Sequence, residues 1–112
     1  MSHVDFKTVS FDAGWTTLSL NSTWVTYGYD YGVPRYCRIN GVVYVQGLIK
    51  NGPVSSAIAT LPVGFRPDTF VIKSNSMSGG FTRVDFRSDG QIVVSPGSSG
   101  WTSIVANFWA DQ

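Results

Sequence analysis

Apolar residues along this chain recur at every second position rather than at helical spacing, and Gly, Pro, Asn, Ser and Thr interrupt them about every ten residues. That rhythm predicts an all-β protein. The clearest unit is 34–48, where two runs of β-branched and aromatic residues flank Asn40-Gly41, the pair that best tolerates the positive φ angles of a type I′ turn. With those two residues as the loop, Ile39 opposes Val42, Cys37 opposes Tyr44 and Tyr36 opposes Val45. Cys37, Ile39, Val42 and Tyr44 then share one face, and Tyr36, Val43 and Val45 share the other with Arg38. Both faces are largely apolar, which predicts a strand pair covered on two sides, by a partner sheet and by a neighbouring subunit.

A second hairpin is expected over 83–95, turning at Ser88-Asp89-Gly90. A three-residue loop with Gly90 left-handed pairs Phe86 with Ile92 and Val84 with Val94, and this register gives the cleaner apolar face. It points Arg83, Asp85, Arg87 and Gln91 to water. Over 101–110, Thr102, Ile104, Ala106, Phe108 and Ala110 form a core stripe. Trp101, Ser103, Val105, Asn107 and Trp109 form the opposite one, which suits a subunit contact or a ligand platform. Shorter strands are expected at 7–11, 16–20, 24–27, 57–60 and 69–74. An open sheet of so many strands would leave a face and two edges bare, so the alternatives are a sandwich, a jelly roll or a closed barrel. The expectation is an antiparallel jelly-roll-like β-sandwich spanning 1–112 as a single domain, with 1–5 a flexible segment. Ser78-Gly79-Gly80 and 96–100 read as loops.

Charged residues are 13% of the 112, about half the usual quarter, whereas aromatics reach 14%, so uncharged polar and aromatic groups must cover the surface. Five Arg and three Lys stand singly, and the net charge is +1, so no basic stripe is available to neutralise a row of phosphates and no nucleic-acid partner is expected. No run approaches the roughly twenty apolar residues of a membrane span, and no signal peptide is visible. Cys37, the single cysteine, lies in a strand pattern and reads as a buried thiol. Asn21-Ser22-Thr23 reads as a turn rather than a glycosylation site.

The acids are seven Asp and no Glu, mostly beside turn residues. The one nominable carboxylate pair, Asp85 with Asp89, flanks a hairpin turn, and His3 is the single histidine. Neither a glycosidase pair, a Ser-His-Asp triad nor a metal site can be assembled, so the expectation is a non-enzymatic protein with no cofactor and no metal. The most suggestive cluster is Trp24, Tyr27, Tyr29, Asp30 and Tyr31, where rings alternate with Gly and Asp as a strand runs into a loop. Ring faces beside a hydrogen-bonding Asp suit stacking on a sugar, the alternative being rings that plug one end of the sandwich.

The run PRYCRINGVVYVQGLIKNG, followed by IATLPVGFRP, resembles the distal domain of bacteriophage tail-fibre and baseplate receptor-binding proteins. A looser likeness continues through VDFRSDGQIVV and WTSIVANFWA, covering about three quarters of the chain. Its most specific element is Leu61, Pro62, Val63, Gly64, Phe65, Arg66 and Pro67, in which the prolines fix φ at both ends, Gly64 permits a bend, and Leu61 and Phe65 pin the loop to the core. The resemblance implies a homotrimer on a virion appendage, made in the host cytoplasm, that binds a host cell-surface saccharide. On that reading Tyr36, Val43, Val45, Trp101 and Trp109 lie at the subunit interface. The sequence shows no shaft, coiled coil or collagen-like segment, so an excised domain or a small free-standing virion component is expected. A decoration, cement or head-fibre protein contacting other phage structural proteins is the alternative.

Overall fold

The computed structural model describes residues 11–53, 56–95 and 100–111. Its strands are β1 (Ala13–Thr17), β2 (Val25–Thr26), β3 (Arg35–Ile39), β4 (Val42–Gln46), β5 (Leu48–Lys50) and β6 (Ala57–Thr60). They continue as β7 (Val71–Met77), β8 (Gly80–Phe86), β9 (Gln91–Ser95), β10 (Thr102–Ser103) and β11 (Ala106–Trp109), with no helix among the described residues. The strands form two antiparallel sheets, a four-stranded one in the order β1-β3-β4-β11 and a seven-stranded one in the order β2-β5-β10-β7-β8-β9-β6. One of the two sheets curls into a half-barrel. The segments expected at 1–5 and, for the most part, at 7–11 lie outside the described residues, as do most of 96–100.

Local sequence accounts for both expected hairpins. Asn40 and Gly41 take φ of 50° and 79°, and Ile39, Cys37 and Tyr36 pair with Val42, Tyr44 and Val45. In β8–β9, Phe86 pairs with Ile92 and Val84 with Val94, and the turn closes through Gly90, whose φ is 92°. A third hairpin, β7–β8, turns on Ser78-Gly79 alone, because Gly80 already pairs with Met77. Asp85 departs from its expected place in water: it is 8% exposed. Arg83 two residues earlier grips its carboxylate through Nε and Nη2 at 2.9 and 3.0 Å, a bidentate pair that compensates for lost hydration.

One hydrophobic cluster joins the inner faces of both sheets, and the Phe86 and Phe108 rings meet across it at 5.7 Å. Tyr36, Val43 and Val45, expected at a subunit interface, are buried in this cluster. The seven-stranded sheet and the chain's own core take up that face, which leaves it no surface for a second subunit. Cys37 and Ile39 on the opposite face are also buried, so both sides of the hairpin are covered. The stripe of Thr102, Ile104, Ala106 and Phe108 points inward and that of Val105, Asn107 and Trp109 outward, as the alternation predicts.

Among the described residues the chain passes between the sheets four times, from β1 to β2, β2 to β3, β4 to β5 and β10 to β11, and the last two of these crossings meet. Between β4 and β5 the chain passes from the small sheet to the large one at Gly47, and between β10 and β11 it returns. These two touch, since Ile104 N donates to Gly47 O at 3.0 Å. A Cβ on Gly47 would stand 2.8 Å from the Cα of buried Pro34 and 3.3 Å from Ile104, so the backbones approach closer than any side chain permits. Asn75 pins the return crossing: its Oδ1 accepts from Val105 N at 2.9 Å and from Ser103 Oγ at 3.2 Å.

The 61–67 turn ties the two sheets together at another place. Leu61 and Pro67 are buried, Gly64 has φ 94°, and Phe65 stacks edge-on against Tyr36 at 5.0 Å. Arg66 Nε donates to Leu61 O at 2.7 Å, and Leu61 N donates to Gly90 O at 2.8 Å. Pro67 bridges to Ala110, and Arg38 reaches Gly64 O at 2.9 Å.

Gly47→Ala is expected to destabilise the protein by about 1–3 kcal/mol, the range for forcing a methyl into packed surroundings. Gly52→Ala should be worse, since its Cβ would fall 1.8 Å from the Trp24 ring. Urea denaturation checks both, and unchanged midpoints would show that the close approaches relax freely. A further expectation concerns Cys37, whose thiol burial pushes from 9.0 to about 11. The unfolded chain releases that proton first, so stability is full below pH 9 and falls by up to about 2–3 kcal/mol as pH climbs to 11. Burial also raises the Tyr36 phenol, which acts in the same direction. Denaturation midpoints from pH 8 to 11 should decline, less steeply in Cys37→Ala, and a disulfide reagent should modify the thiol only on unfolding.

Candidate functional site

The crossing at Gly47 opens on its outer side into a cleft of about 410 Å³, lined by Tyr27, Tyr31, Val33, Gln46, Leu48 and Trp101 together with Gly47 itself. Each wall is placed by backbone pairing. Tyr27 follows β2 directly and donates its N–H to Leu48 O at 2.9 Å, which sets its ring beside the crossing. Trp101 enters β10, whose Ser103 pairs with Leu48, and its carbonyl accepts from Ser78 N at 2.9 Å. Tyr31 and Val33 come from the 28–33 loop and are exposed at the mouth. The described lining residues therefore offer ring faces, phenol hydroxyls, aliphatic side chains and one carboxamide, groups that can stack and hydrogen-bond.

Beside the cleft the loop makes a tight turn, with Tyr31 N donating to Gly28 O at 3.2 Å. Both central residues are left-handed, Tyr29 at φ 55° and Asp30 at φ 69°, the φ signs of a type I′ turn that normally takes Asn and Gly. Asp tolerates this region, but a bulky aromatic does so at a cost of roughly 1–2 kcal/mol. Tyr29 nevertheless stands 78% exposed, its ring 5.4 Å from that of Tyr27. The Tyr31 ring lies 5.5 Å from Tyr27 on an edge contact, so Tyr27 is the hub of three rings. Lys50 Nζ stands 5.6 Å from the Tyr27 centroid, within cation–π range.

The structure brings Tyr27 and Tyr31 into one cleft with Trp101, sets Tyr29 and Asp30 on its rim, and separates Trp24 from all of them. Trp24 is 3% exposed, in the core, flat against Gly52. It is a packing residue and has no face for a sugar. Its indole N–H finds no hydrogen-bond partner among the described residues. Trp109 lies on the outer face of the four-stranded sheet over Gly41, away from the cleft lining. Sequence reasoning missed Val33, Gln46, Gly47 and Leu48. The available signal was Gly47, a lone glycine inside an apolar strand pattern, which commonly marks a bend or close backbone approach. Among the described residues no group of three or more His, Cys, Asp or Glu side chains converges as a metal site.

Tyr29→Asn should raise stability by about 1 kcal/mol by relieving the left-handed aromatic, offset in part by the lost contact with Tyr27. Denaturant titration measures it, and a clear loss of stability would mean that the ring packs rather than strains. No protein-family model matches the chain, and no curated protein matches its sequence.

Proposed function

We propose that this chain is a non-enzymatic, virion-associated binding module that recognises a host cell-surface glycan at the tip of a bacteriophage tail fibre or similar appendage, and that it works as a homotrimer. The observation that carries this reading is the open cleft walled by Tyr27, Tyr31 and Trp101, with Tyr29 held out beside it against its backbone preference. Aromatic faces pack on the C–H patch of a pyranose, and a carboxamide such as that of Gln46 takes its hydroxyls. Strain at an exposed ring is the kind of feature that accompanies a binding surface. The likeness of the 34–67 region to receptor-binding tips adds the virion setting. Within the two-sheet frame, the crossings at Gly47 and Ile104 support a jelly-roll-like path, whereas β7–β8–β9 run as a meander inside one sheet.

A second reading, a decoration or cement protein of the particle, draws on a different surface. Ile72 and Phe81 point away from the core on the outer face of the seven-stranded sheet, Phe81 at 76% exposure. Apolar groups on an otherwise wet face suit a contact with another structural protein, or with a second copy of this chain.

Light scattering should give a mass three times 12.2 kDa. A glycan array should then score positives that Tyr31→Ala weakens about tenfold or more, with the melting temperature unchanged because that ring is exposed. A blank array combined with binding to purified capsids would replace this reading with the second one.

A further inference from the structure

We infer that the crossover cleft selects an anionic saccharide, a sugar bearing a carboxylate or a phosphate, and that Lys50 and Arg35 read its charge. The inference rests on the glycan-binding reading above and adds the class of ligand. The aromatic walls alone would accept any pyranose. What distinguishes this cleft is that two cations from different strands each touch one of its lining residues from behind the wall. Lys50 on β5 holds its ammonium over the Tyr27 ring at 5.6 Å. Arg35 on β3 donates from Nε to Oε1 of the lining residue Gln46 at 3.0 Å, while its guanidinium lies 4.1 Å from the centroid of the Trp15 ring. Stacking and that hydrogen bond hold the guanidinium in place, and its remaining N–H groups are fork donors suited to a carboxylate or phosphate.

Among the described residues neither cation is neutralised by a neighbouring acid. The ion pairs among the described residues are Arg38 with Asp12 and Arg83 with Asp85. In a chain with eight cationic side chains and seven acids, two unneutralised cations flanking one aromatic cleft concentrate positive potential there. The opposing group is Asp30, an exposed carboxylate at the tip of the adjacent turn. It repels an anion, so its removal should strengthen binding. Asp30→Asn suits this test because Asn also tolerates the left-handed backbone at that position.

The test is calorimetric titration of the intact chain with three probes: trigalacturonic acid for the carboxylate, a glucosylated glycerol-phosphate oligomer for the phosphate, and galactotriose as the neutral reference. At low salt at least one charged probe should bind about tenfold tighter than galactotriose, and the advantage should shrink as salt rises to physiological strength. Lys50→Gln should remove most of that preference, weakening the charged probe far more than galactotriose, whereas Asp30→Asn should increase it several-fold. Which charged probe wins identifies the group that is read. Equal affinity for charged and neutral probes, or a preference that survives the Lys50→Gln and Arg35→Gln double variant, overturns the anionic assignment and leaves glycan binding standing. Binding to none of the probes, together with a blank glycan array, overturns both. The salt dependence of the unmodified chain decides the matter even where a variant folds poorly.

Discussion

Gly47 is pressed against the backbone of Pro34, with its carbonyl bonded to Ile104 N, and the architecture depends on that contact. A strand line cannot leave one sheet and continue in another unless its backbone bends sharply and something covers the polar groups exposed at the bend. Here the β4–β5 and β10–β11 crossings satisfy each other, and Asn75 supplies the acceptor for Val105 N on the returning one. The same bend leaves a concavity on its outer side, because the walls diverge where the sheets part company. The candidate site is thus a by-product of joining the sheets, and its floor is as rigid as the joint.

The 61–67 turn performs a comparable function at a second place. Its hydrogen bonds run to Gly90 in the β8–β9 turn, to Arg38 on β3 and to the segment after β11, so one short loop ties both sheets to the chain's last described strand. Close approach again demands glycine, since a Cβ on Gly90 would meet Leu61 O at 2.3 Å. Residues that look like a recognition motif are here explained by covalent and steric requirements. Leu61, Pro62, Gly64, Phe65, Arg66 and Pro67 build a joint, with Arg66 folded back on its own loop.

Against these rigid joints the 28–33 loop behaves differently. Its backbone adopts left-handed geometry at two non-glycine residues, and its rings face outward. Trp24 on Gly52 and Tyr36 on Phe65 are by contrast spent on packing. A tyrosine held in a disfavoured conformation with most of its surface in water gives the fold little beyond its contact with Tyr27. That contrast, rather than aromatic content as such, separates the binding candidates from the core.

Pattern and turn chemistry were enough to read the all-β class, the Asn40-Gly41 and Ser88-Asp89-Gly90 hairpins with their registers, and the inward stripe of the last segment, because each depends on alternation and local φ preference. The same signals grouped Tyr27 with Tyr31, which the fold brings into one cleft. They could not separate Trp24 from those rings, since burial depends on what packs against a residue, and Gly52 lies far along the chain. Nor could they choose which apolar face of the 34–48 hairpin meets the core. Alternation is symmetric between faces, and only the arrival of the second sheet assigned Tyr36, Val43 and Val45 to the interior. The meeting of Trp101 with Tyr27 and Tyr31, and the cations beside them, likewise arises from strand pairing between distant segments, which no local property of the sequence specifies.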